Sequence, residues 1–245
     1  IHIYDSQDEN LGTYKIYKCL YYEYQDENDE NRVQYILFDG QWLQVGQKLI
    51  SQVNNSFLKY VSKKNLPKYK VGEIESDYNK RFSEISDKHH LLDKGNVTLQ
   101  GSSRFEVCDV LYHDPNKETQ YNFYHVKKYK GSSVLSHLFS QGYVSAKSLS
   151  DPKIYKELKS TESIKEIVSI FPGDFNAFNN LNKNQRTVTF AIYDRKENNV
   201  PVFSQITFDA VREQIEKLNY NVEVVFIDTG KETASQNEET KQVGK

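Results

Sequence analysis

No methionine occurs in this chain, and only two cysteines, one tryptophan and five prolines do. Each scarcity excludes something. Cys19 and Cys108 form neither a metal-ligand spacing nor a disulfide framework, and so few thiols suit a reducing cytoplasm. No apolar run approaches the length of a membrane span and no leader pattern is present, so no membrane partner is expected. With Ile at position 1 and methionine absent, the sequence is not read as an intact translation product from its start codon. The net charge of -2 lacks the positive excess of an obvious nucleic-acid binder.

What is present is aromatic. Apolar residues make up 37% of the 245 positions, but 13% are aromatic, led by 18 Tyr and 13 Phe, which argues for a folded chain with a substantial core. Charge is unevenly spread. Residues 1–30 hold eight acids against Lys15 and Lys18, a balance of -6 that leaves +4 for the remainder. That mild positive surplus is compatible with phosphate contact.

Three β-rich segments open the chain: Tyr14 to Tyr24, Val33 to Phe38, and Gln41 to Val45 after an Asp39-Gly40 turn. They read as a meander. Leu49, Val53, Phe57, Leu58 and Val61 recur at helical spacing and predict a helix over 47–63 packed on it. The acidic turn at 26–32 reads as solvated. A basic, proline-containing stretch, Lys63 to Lys70, then marks a boundary. These signals divide the chain into a meander-and-helix subdomain (1–66), an α/β core (67–228) and a disordered tail (229–245).

The core's centre is Arg104 to Gln141. RFEVCDVLY reads as one strand in which Asp109 shares a face with Phe105, Val107 and Leu111; a carboxylate so placed needs a cation, a metal or donors to stay ionised. The turn chemistry of Asp114-Pro115-Asn116-Lys117 predicts a hairpin to a second strand, which carries Phe123, His125, Lys127 and Tyr129 on one face. Acid, imidazole and ammonium would then converge. Lys128, Lys130, Ser132 and Ser133 follow at a helix start, where unpaired amides favour an anion, so a phosphate cradle is weighed evenly against an ordinary capped helix.

Upstream, Glu73 to Ile85 reads as a helix, with Glu75 opening a Glu-x-x-Tyr-Asn pattern; an acid there is more often merely solvated. His89-His90 read as a surface turn. Downstream, Asp151-Pro152 starts a helix, Ser163 and Glu166 could form a capping box, and Thr187 to Tyr193, Phe208 to Leu218 and Asn221 to Ile227 read as strand, helix and buried strand.

Residues 71–227 therefore run α, β, β, β, α, then further helices, β, α, β. This order resembles the core of the restriction-endonuclease-like (PD-(D/E)xK) superfamily, a mixed sheet flanked by helices. In that superfamily a helix acid and strand acids hold a divalent metal, and a lysine positions and activates the attacking water. By position the resemblance implies Glu75, Asp109, His125 and Lys127 as catalytic residues and Glu75, Asp109 and His125 as metal ligands. His125 stands where a carboxylate is usual, and an imidazole there would favour Mn over Mg or prevent metal binding.

FEVCDVLY, FYHVKKYKGSSVLSHLFSQGYVSAKSL, YILFDGQWLQV and the Glu75 pattern also resemble a sporadically distributed family of largely uncharacterised bacterial proteins suspected of a place in phage defence. The likeness spans about Tyr14 to Ile227. There the strand triplet is typically His-x-Lys.

Three readings follow. The first is a nuclease-like domain cleaving foreign nucleic acid with Mg or Mn. The second, needing no cofactor, is a non-catalytic module binding nucleic acid or a phosphate ligand through Lys128, Lys130, Ser132 and Ser133. The third is a structural or protein-interaction domain with a buried Asp-His-Lys network. Oligomeric state is not legible in the sequence.

Overall fold

A computed structural model describes residues 2–13, 15–16, 22–25, 33–38, 40–93, 96–98, 104–116, 120–161, 168–195 and 199–229. The acidic turn at 26–32, Cys19, the capping box read at Ser163 and Glu166, and the tail beyond position 229 lie outside them.

Two strands, β1 (His2–Tyr4) and β2 (Asn10–Thr13), pair antiparallel. The meander comprises β3 (Tyr22–Gln25), β4 (Gln34–Phe38) and β5 (Gln41–Gln44), and Gly40 supplies the positive φ of 74° that its second turn requires. Helix α1 (Gln47–Leu58) follows, shorter than its apolar spacing predicts. Its Phe57 is buried and meets Phe208 edge to face at 5.2 Å.

The second part begins with α2 (Glu75–Ser83), β6 (His89–Leu91), and the paired β7 (Asn96–Thr98) and β8 (Arg104–Glu106). Next come β9 (Val110–Asp114), β10 (Gln120–Lys128), α3 (Ser132–Leu149), α4 (Pro152–Lys159) and the short α5 (Phe175–Asn179). The chain continues through β11 (Arg186–Tyr193), α6 (Val202–Lys217) and β12 (Asn221–Phe226). One five-stranded sheet runs β12-β11-β10-β9-β6. Strands β6, β9 and β10 are antiparallel neighbours, whereas β10, β11 and β12 are parallel and are joined through helices. The α/β expectation of a mixed sheet with helices, preceded by a small meander and helix, is met at that level.

Both faces of the sheet are covered, which is why β11 is buried at every position. On one face α3 and α6 pack with Phe139, Phe190 and Phe208, rings 5.0–6.2 Å apart. Burial of each such side chain stabilises by about 1.5–3 kcal/mol. Gly142 permits the close approach of α3, since a Cβ there would stand 2.5 Å from the Phe190 ring. On the other face α2 lays Tyr78 and Phe82 over Tyr124, Val126, Ala191 and Tyr193.

Two local expectations are corrected. RFEVCDVLY is two strands: β8 pairs with β7, β9 pairs with β6 and β10, and residues 107–109 between them belong to neither. The break buries both Val107 and Cys108, which strict alternation would put on opposite faces, and frees Asp109 from the apolar row. His89 and His90 lie in β6, where His89 packs between Phe82 at 5.4 Å and Tyr112 at 5.0 Å.

Candidate functional site

Register decides what meets at the end of the β9–β10 pair. Val110 is opposite Tyr124, so Asp109 lies one step on, and its backbone N–H donates to the Tyr124 carbonyl at 2.9 Å. Asp109 Oδ2 accepts from the Val126 N–H at 2.7 Å. One residue later Lys127 Nζ donates to Glu75 Oε1 at 2.7 Å, and the Lys128 N–H reaches Glu75 Oε2 at 3.4 Å. Glu75 is the first residue of α2, a position where the helix dipole favours a carboxylate. Three of the four expected residues, Glu75, Asp109 and Lys127, therefore come together.

His125 does not join them. It is 3% exposed, its ring faces Phe190 on the α3 side of the sheet, and Nε2 has no hydrogen-bond partner among the described residues. Burial drives its pKa down to about 4, so the ring is neutral at pH 7. Lys127 belongs to the same alternating face, but at the strand end its long side chain reaches Glu75.

The electrostatics of the cluster are those of crowded acids. Burial raises the Asp109 carboxyl to about 7; the Val126 N–H opposes this, and the charges of Glu75, Glu106 and Asp93 add to the rise. Burial works against the Lys127 ammonium, but the hydrogen bond it donates to Glu75 and the charges of Glu75, Asp109 and Glu106 outweigh it, and its pKa is raised. Lys127 is therefore a held cation, not a base.

Beside the cluster opens a cleft of about 700 Å³, lined by Glu75, Lys127, Lys128, Lys130, Tyr69 and Tyr193 among others. The side chains of Lys127 and Glu75 remain 32% and 29% exposed, so solvent reaches the pair. Asp109 does not line the cleft. Tyr69 and Tyr193 stack at 3.8 Å to form an apolar wall. The expected phosphate cradle is partly committed elsewhere. Lys128 pairs with Asp194 at 3.0 Å, and the Ser132 hydroxyl donates to Glu23 at 3.4 Å. Ser133 is exposed, and Lys130 has no ion pair among the described residues.

Sequence reasoning missed Asn79. It is wholly buried, and neither its Oδ1 nor its Nδ2 has a partner among the described residues. As the fourth residue after Glu75, it lies on the same face of α2. Its place in the Glu-x-x-Tyr-Asn pattern was the available signal. Glu106 and Asp93 were also missed, because only the folded chain brings them near Asp109.

Among the described residues no three His, Cys, Asp or Glu side chains gather as a metal-ligand group. Glu75 and Asp109 are two carboxylates, and Mg is commonly held by one or two together with water and substrate phosphate. The Asp109 carboxyl, raised first by burial and further by three acidic neighbours, has the chemistry a hard cation would relieve. In that respect the pair fits, without His125.

The family model described as "Family of unknown function (DUF6119)" matches residues 1–228, and the chain belongs to that family. No curated protein and no solved structure matches the chain.

Proposed function

We propose that this member of a family of unknown function is a nuclease-like domain that hydrolyses phosphodiester bonds of nucleic acid with Mg or Mn. The observation that carries the proposal is the convergence of Glu75, Asp109 and Lys127 beside an open cleft. They come from a helix, the residue just before one strand and the end of the next, within an antiparallel β6-β9-β10 run followed by a parallel neighbour. That arrangement resembles a restriction-endonuclease-like core. A setting in the cytoplasm rests on the scarcity of cysteine, and a place in bacterial defence against foreign nucleic acid rests on the family resemblance alone.

A bound divalent ion would neutralise phosphate charge and make a water nucleophilic near pH 7. Glu75 and Asp109 would hold it. An adjacent cation favours the ionised carboxylate, so Asp109 would lose its proton on loading. Lys127, kept charged by Glu75, can donate to a phosphate oxygen or orient the attacking water. Lys128 and Lys130 stand along the cleft for neighbouring phosphates. His125, buried and neutral, takes no step.

The test is incubation of the chain with single- and double-stranded DNA and RNA, with and without Mg or Mn. Cleavage should require metal and fall by about a hundredfold or more in folded Asp109→Ala and Lys127→Ala variants. Intact substrates in every combination would overturn the proposal.

One observation favours a second reading, a non-catalytic nucleic-acid or phosphate-ligand module: Lys128 and Lys130 line the cleft beside Lys127. Binding that weakens steeply with salt and ignores metal would select it. A purely structural network is disfavoured by the exposure of Lys127 to the cleft.

A further inference from the structure

A second recess lies on the same side of the sheet as α2 but toward the opposite ends of the strands. The pairing register aligns His89, Tyr112, Asn122, Thr187 and Asn221 in one row across all five strands. Helix α2 ends its cover at Phe82, which packs on Tyr124 at 4.8 Å. Beyond it the polar row floors a cavity of about 380 Å³.

The lining specifies a ligand class. The volume is near the lower end for small-molecule sites, enough for one base or nucleoside. Lys64 and Glu223 in the lining pair with each other at 2.7 Å, and burial lowers the His89 pKa, so no net charge is demanded of a ligand. Asn122 is only 6% exposed; its Oδ1 accepts from the Thr189 hydroxyl at 2.8 Å, and its amide nitrogen has no partner among the described residues. Two more amides, Gln120 and Asn221, and the phenols of Tyr112 and Tyr124 complete a mixed donor and acceptor surface. Amides that read base edges, beside rings that accept stacking, are how unpaired bases are recognised on sheets.

We propose that this recess is a nucleobase-binding site, which takes one unpaired base from a single strand or a free nucleoside. It goes beyond the hydrolytic reading and needs no metal.

Calorimetric titration of the full chain in a chelator tests it, with adenosine, guanosine, cytidine and uridine, with a short single strand, and with the same strand lacking its bases. At least one nucleoside or the base-bearing strand should bind, and the two arms identify the source. Tyr124→Phe and Asn221→Ala should each weaken that binding by roughly fivefold to tenfold, as expected for one lost hydrogen bond. Asp109→Asn should leave it unchanged, which separates this site from the cleft. The inference is overturned if the abasic strand binds as well as the base-bearing one, if neither variant has an effect, if monosaccharides bind in preference, or if no nucleoside or strand binds.

Discussion

At Asp109 the fold holds a carboxyl near pKa 7 that would ordinarily titrate at 3.8. A raised folded-state pKa means stability that is full below the unfolded value and lost as pH rises through the folded one. His125 has the opposite sign: its pKa falls from 6.5 to about 4, so its contribution is present above 6.5 and lost as pH falls through 4. The two windows overlap, so the contributions offset one another between about pH 4 and 6.5. Replacing Asp109 by Asn removes one partner. Asp109→Asn should therefore stabilise the fold by about 4 kcal/mol at about pH 8, change little at about pH 3.5, and unmask a stability that rises with pH between them. Urea unfolding across that range reads this directly; equal wild-type and variant stability at the alkaline end would contradict it. Asp109 was legible because an acid in an apolar strand is conspicuous. The burial of His125 was not, because alternation places it beside Lys127 and only the packing of Phe190 shows that this face is core until the strand ends.

Helix α2 shows what periodicity can miss. Apolar spacing selects Ile74, Tyr78, Phe82 and Ile85, yet Ile74 and Ile85 are 61% and 52% exposed. The buried residues are Tyr78, Asn79 and Phe82, and a polar residue gives no apolar signal. An amide with both atoms unpartnered among the described residues is a standing cost of about 1–3 kcal/mol, and one turn from Glu75 it is a cost placed at the site. Asn79→Leu, of similar volume, should raise stability by about that amount while weakening Mn binding and cleavage. Thermal melting and metal titration of the same variant decide it: a stabilised variant with wild-type metal affinity would make Asn79 a packing residue only. The break at residues 107–109 was invisible for a related reason. It depends on β8 pairing with β7 while β9 pairs with β6 and β10, a tertiary choice that alternation along one strand does not encode.

Across the whole molecule, one carboxylate ties the meander to the core. Glu23, in β3, accepts from the Val202 N–H at 2.7 Å and the Phe203 N–H at 3.3 Å, which caps a helix, α6, whose own Pro201 supplies no side-chain cap. The same carboxylate receives the Ser132 hydroxyl at the start of α3. No local pattern announces it, because its helix partner is 179 residues away. Burial raises its pKa, against the pull of those amides. The anion expected at the α3 start is thus, in part, the protein's own. Glu23→Ala leaves two helix amides uncapped, so stability should drop by about 1 kcal/mol. Amides of β3 to β5 should exchange roughly fivefold faster, while β10 and β11, held in the sheet interior, change less. Hydrogen exchange resolved by segment separates the outcomes: uniform acceleration would mean that Glu23 serves global stability, and no change at all would mean that Glu23 does not tie the meander to the core.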